Sequence, residues 1–168
     1  LLTEGRSWLS RAIDAIDATS AEKGELLCLA ASFASLQDEL AEAQRLANEA
    51  FALDRELGDA HGSAKAVFRL AEAVHRQGHL DRAEDLYRDA LEGYTQSRDD
   101  LGEMLCIGNL GMLARQRGDL QQAAGLLNDA RRRAIGLGEQ RIAGECTIAM
   151  GWVQLGLGDL AQSRVLFE

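Results

Sequence analysis

AKAVFRLAEAVHRQGHLDRAEDLYRDALEGY, residues 64–94, carries two amphipathic helices joined at Gly78-His79. Ala64, Val67, Leu70, Ala71 and Val74 fall on one face of the first. Leu80, Ala83, Leu86, Tyr87, Ala90, Leu91 and Tyr94 fall on one face of the second. Both sets keep the three-or-four-residue spacing that stacks side chains along one side of a helix. Gly78 ends the first helix because glycine enters the left-handed conformation at little cost. Ala71 and Ala83 are small residues on the inward faces, where two helices approach closely.

Working outward, the same punctuation repeats. Asp38, Gly58, Gly78, Arg98, Gly118, Gly138 and Gly158 are spaced by 20 residues throughout. An acidic residue follows four of the five glycines, placed to cap the next helix and face its positive end. Between these turns lie helices of about 17 to 18 residues, roughly 27 Å long at 1.5 Å per residue. Two helices make a unit of 40 residues. The spacing predicts second helices over 1–17, 40–57, 80–97, 120–137 and 160–168, and first helices over 22–36, 60–77, 99–117 and 140–157. A polar break at Ala18-Thr19-Ser20 precedes the first complete pair, with Ser20 as N-cap.

Composition agrees with an all-α fold. The 168 residues are 46% hydrophobic and 27% charged, a globular balance. Aromatics are only 5%, proline is absent, and the apolar content is mostly Ala and Leu, both strong helix formers. The formal net charge of −9 repels a phosphate backbone and argues against nucleic acid as a partner. Arg131-Arg132-Arg133 is a basic run late in a helix, where cations meet the negative end of the dipole. No apolar run approaches the roughly 18 residues of a membrane span. Cys28, Cys106 and Cys146 are odd in number and scattered, which fits a reducing, cytoplasmic setting. They read as small buried residues. The opening Leu1 reads as the start of a segment from a longer protein.

No catalytic or metal-binding constellation stands out. His75 and His79 are four apart, but Gly78 breaks the helix between them and no further ligand completes a set. The glycines are periodic turn residues and form no phosphate loop. No Ser/His/Asp or Cys/His arrangement is present. The expectation is a non-enzyme without cofactor or metal.

Leu70-Ala71, Leu110-Gly111 and Met150-Gly151 in first helices, with Ala43, Ala83, Ala123 and Ser163 in second helices, resemble the tetratricopeptide repeat. The resemblance covers the whole chain as one array: a partial repeat over 1–18, repeats over 21–58, 59–98 and 99–138, and a truncated repeat over 139–168. It departs from the family in its longer unit and its missing proline, as longer-helix members do. Those include arrays in bacterial regulators that join an NTP-binding switch to a helical sensor, and kinesin-light-chain-like adaptors. The resemblance implies a right-handed superhelical solenoid of antiparallel helix pairs.

In that family first helices line the concave face. The resemblance therefore puts Lys65, Phe68, Arg69, Glu72, His75, Leu105, Asn109, Met112, Arg115, Glu145, Ile148 and Trp152 in or near a groove. Phe68 and Trp152 are candidate anchors there, with core packing as the alternative for each aromatic. Arg69 and Arg115 are candidate charge readers. A carboxylate clamp of the chaperone-binding members is excluded, because only Asn109 matches it; Phe68, Glu72, Glu145 and Ala149 stand at the other positions. The expected function is a scaffold that binds a protein, a peptide or a helix in the groove, with a ligand-sensing module of a bacterial transcriptional regulator as the alternative. Leu2, Trp8 and Leu9 at one end, and Leu160, Val165, Leu166 and Phe167 at the other, lack a covering repeat. The expectation is self-association through an end, or caps supplied by sequence outside this segment.

Overall fold

Every residue with a positive φ among the described residues stands on the 20-residue comb. Gly58, Gly78, Gly118, Gly138 and Gly158 have φ between 71° and 86°, and Asp38 and Arg98 have φ of 64° and 57°. The computed structural model describes residues 2–16 and 20–168, and side chains from residue 8 onward. The expectations for Leu1, Asp17, Ala18 and Thr19, and for the side chain of Leu2, lie outside the described residues.

Between the turns run α1 (Leu2–Ala15), α2 (Ala21–Leu36), α3 (Leu40–Leu57), α4 (Ala60–Arg76), α5 (Leu80–Ser97), α6 (Asp100–Arg117), α7 (Leu120–Leu137), α8 (Gln140–Leu157) and α9 (Leu160–Phe167). No strand occurs among the described residues. The protein is an all-α solenoid of helix pairs, as the turn comb requires. Ser20, Asp59, Asp99 and Asp159 each accept a backbone N–H from the first turn of the helix they precede. Asp119 and Glu139 make no side-chain cap. The expectation of an acidic cap after each glycine thus holds at two of the four.

The chain divides into two compact units, Leu1–Arg98 and Asp99–Glu168. In the first unit each helix packs on the next, and α2 also lies against α4. The core there is built from Leu27, Ala31, Ala43, Ala47, Ala71, Val74, Ala83 and Ala90, each 1% exposed or less. Burial of apolar surface of this kind drives the packing at about 25 cal/mol per Å². In the second unit α6, α7, α8 and α9 also pack in sequence, but α6 and α8 barely touch. Ala114, Ala123, Leu127, Ala149 and Val153 form one buried cluster of that unit. At its end Leu160 and Val165 are each 66% exposed.

The three cysteines are buried and free. Burial pushes the Cys28 thiol up to about 11, and Asp54 adds to the effect. The Cys146 thiol is raised by the same cause. Neither Cys28 nor Cys146 has the lowered pKa that makes a thiol reactive.

Candidate functional site

The first helix α4 leaves only a narrow strip uncovered, because the second helices α3 and α5 pack on both its flanks. On α4 the buried set is Ala64, Ala66, Phe68, Leu70, Ala71, Ala73 and Val74. The strip that remains holds four of the expected groove residues of the first unit. Lys65 Nζ lies 3.8 Å from Glu25 of α2. Arg69 donates to Glu72 at 2.7 Å, and its guanidinium stands 5.2 Å from the Phe68 ring centroid. His75 Nδ1 is 3.4 Å from the Tyr87 hydroxyl, with the two rings edge to face. These are paired, half-buried groups.

Phe68 does not belong to that strip. It is 1% exposed and packs against Tyr87 and Tyr94 at ring centroid distances of 5.8 and 6.3 Å. The reading of Phe68 as a groove anchor is therefore corrected: it is core. Its ring turns away from the α2/α4 face toward α5, where two aromatic neighbours bury it.

The second unit is built differently. A cavity of about 200 Å³ opens between α6 and α8. Met104, Leu105, Met112, Leu127, Ile142 and Cys146 give it apolar walls. Gly108, Asn109 and Glu145 complete the lining. Asn109 donates its amide to the Leu105 carbonyl at 3.0 Å, which fixes the side chain along α6. Glu145 is exposed and bonded to Arg141 one turn earlier. Close by on α8, Thr147 Oγ1 accepts from Arg131 at 2.9 Å. The structure so brings Asn109, Met112 and Glu145 together around one opening. Arg115 is half-buried on α6, outside the lining.

Trp152 is 52% exposed and packs edge to face on Phe167 of α9 at 5.3 Å. It leans on the next helix and takes no part in the cavity wall. Ile148 is 54% exposed on the same helix. A second hollow, of about 270 Å³, lies among α1, α2 and α3 in the first unit. Its cation, Arg45, is already held by Glu42 at 2.8 Å and Glu49 at 2.9 Å.

One residue escaped the sequence reading. Asp54 is 1% exposed, and its Oδ2 is buried without a hydrogen-bond partner. Burial raises its carboxyl to about 6, with Asp59 and Glu25 adding to the shift and Lys65 opposing it. The signal was present: Ala43, Ala47, Ala50 and Asp54 follow one another at helical spacing along the inward face of α3. Among the described residues no group of three or more His, Cys, Asp or Glu could hold a metal ion. No described helix is long and apolar enough to cross a membrane.

Two family profiles described as tetratricopeptide repeat match the chain, one over residues 22–96 and one over residues 144–168. The chain belongs to the tetratricopeptide repeat family. Solved structures of the same fold agree in architecture. BtubC (BKLC) from P. vanneervenii matches with a TM-score of 0.79 and 18% identity, over 98% of this chain and 70% of that one. The Rap conjugation gene regulator of plasmid pLS20, in complex with the Phr* peptide, matches with a TM-score of 0.82 and 15% identity, over 99% of this chain and 47% of that one. A Rap protein complexed with competence and sporulation factor matches with a TM-score of 0.81 and 17% identity, over 88% of this chain and 41% of that one. The chain thus spans less than half the length of either Rap protein. No curated protein matches the sequence.

Proposed function

We propose that this tetratricopeptide repeat chain is an interaction scaffold that receives a peptide or helical segment on the face of its first helices. The observation that carries this reading is the α6–α8 opening of the second unit. It combines an apolar cavity with Asn109 and Glu145 at its edge. A site of that composition takes an apolar side chain and leaves polar groups for the backbone around it. The strip of Lys65, Arg69, Glu72 and His75 is a separate charged contact of the first unit. Arg115, half-buried, and Trp152, exposed, extend the second unit's face. One solved structure of this fold carries a bound peptide, and another is complexed with competence and sporulation factor, which supports a peptide as ligand. The function is binding and not catalysis.

Selection from a random peptide library against the purified chain tests the reading. Selected peptides should lose affinity on Asn109→Ala and on Glu145→Lys. Peptides that bind both variants as tightly as the parent would remove this face from the account.

One of those structures is of a gene regulator, which favours a second reading: a sensing module whose peptide ligand biases a larger regulatory protein. Peptide binding that leaves the protease susceptibility of the full-length protein unchanged would count against it.

A further inference from the structure

Phe68, Tyr87 and Tyr94 form the aromatic centre of the α4–α5 pair. One repeat later the same three positions are Gly108, Leu127 and Ala134. Three rings give way to a hydrogen, an isobutyl group and a methyl group. Two of those three positions, Gly108 and Leu127, line the α6–α8 cavity.

The glycine at 108 is not required by the backbone or by packing. Its φ is helical, and an added Cβ would meet only Ala130, at an ordinary 3.6 Å. Gly111 on the same helix is the contrast. There a Cβ would lie 2.9 Å from Leu127, so glycine permits a close approach. What Gly108 does is leave room. The space of about 200 Å³ exceeds the ~150 Å³ of an apolar protein cavity known to accept benzene.

We propose that this cavity is a socket for a phenyl-sized side chain of the bound peptide. The inference rests on the peptide reading above and deepens it. At the equivalent position of the preceding repeat the chain supplies such a group itself, the buried ring of Phe68. A peptide that inserts a phenylalanine between α6 and α8 restores that packing from outside. Asn109 and Glu145 at the edge then face the peptide's own amide groups. Met104 and Met112 in the wall adapt to the ring, as unbranched thioether side chains do.

The chain has three methionines, and two of them line the cavity while Met150 does not. Methyl-labelled methionine NMR therefore reads the socket directly, with an internal control. Titration with toluene and with N-acetyl-phenylalanine amide should shift the Met104 and Met112 methyl signals and leave Met150 in place. Gly108→Phe should fill the cavity and weaken both responses by about tenfold or more. If that variant does not fold, Gly108→Leu supplies a smaller plug for the same comparison. No methyl response, or one unchanged in the plugged variant, would overturn the proposal. A response to toluene with none to N-acetyl-phenylalanine amide would overturn the peptide as its source. A library-selected peptide that binds the plugged variant as tightly as the parent would sink the socket and leave the peptide reading standing. Failure to select any peptide, even with the methyl response to N-acetyl-phenylalanine amide intact, would sink the peptide reading and with it the peptide as the socket's occupant.

Discussion

The carboxylate of Asp54 occupies the space that a side chain on Gly24 would need. A Cβ on Gly62 would likewise lie 2.8 Å from the Asp54 Cγ. The end of α3 is thus wedged between the first turns of α2 and α4, and glycine at both contacts makes the approach possible. The positive ends of those helices offset part of the cost of a buried charge. They do not offset all of it, because burial still raises the carboxyl to about 6.

That shift fixes a pH dependence. Asp54 has a folded pKa near 6 against an ordinary value of 3.8. The fold therefore favours the protonated form. The stabilisation from this group is full below about pH 4 and is lost as pH rises through 6. At pH 7 the charged form costs about 3 kcal/mol by this linkage. Asp54→Asn should be more stable than the parent at pH 7 by about 1–3 kcal/mol, with the gap closing between pH 7 and pH 4. Urea unfolding of both proteins across that range checks it, and a gap that does not change with pH would refute the assignment.

The Gly24–Asp54 approach predicts a coupling. Gly24→Ala alone should destabilise by about 1–3 kcal/mol, since the wedge leaves no room for a methyl group. In an Asp54→Ala background the same change should cost far less. A double-mutant cycle measures the difference, and strict additivity would mean that the two residues do not constrain each other.

The turn comb was fully legible in the sequence because each turn is a local event. A left-handed residue ends a helix whatever packs around it. The wedge was legible only in part: Asp54 lies on the inward stripe of α3, but its approach to Gly24 and Gly62 is a contact between helices that leaves no periodic signal. The buried ring was not legible. A first helix such as α4 is covered by second helices on both flanks and by a neighbouring first helix, so its buried arc is wider than one hydrophobic stripe. Ala64, Leu70, Ala71 and Val74 sit where the stripe predicts. Phe68 lies off the stripe and is buried all the same. Of the expected groove set, the structure gathers Asn109, Met112 and Glu145 around one opening. Gly108 lies in the same lining, and an absent side chain carries no periodic signal.

Arg98 holds a conformation in which most of its counterparts on the comb are glycine. At φ 57° and ψ 41° it is left-handed with a full side chain. Relief of that strain by Arg98→Gly should stabilise the chain by about 1 kcal/mol. Asp38→Gly should gain less, because Asp38 also accepts from Arg76 at 3.3 Å. Chemical denaturation of the two variants gives the comparison. Destabilisation by Arg98→Gly would mean that the arginine side chain contributes more than its backbone costs.

The thiols offer a test of burial. With Cys28 raised to about 11 and Cys146 also raised, almost no thiolate is present at neutral pH. In the native protein all three cysteines should react with an aromatic disulfide reagent only at the rate of unfolding or local opening. Full reaction within the mixing time would show that the helices around them open far more readily than their burial implies.

Phe68 decides between core and anchor. A groove anchor would be lost without harm to the fold, and binding alone would suffer. A residue 1% exposed, packed between Tyr87 and Tyr94, behaves in the opposite way. Phe68→Ala should cost about 3–5 kcal/mol, from lost transfer energy and from the void left between the two tyrosines. Gly108→Ala at the equivalent position one repeat on should change stability by less than about 1 kcal/mol, since its methyl group meets only Ala130, at an ordinary 3.6 Å, and relieves a helical glycine. Thermal and urea unfolding of the two variants measure the asymmetry directly. Equal effects at the two positions would mean that the repeats are packed alike and that no ring-sized space separates α6 from α8.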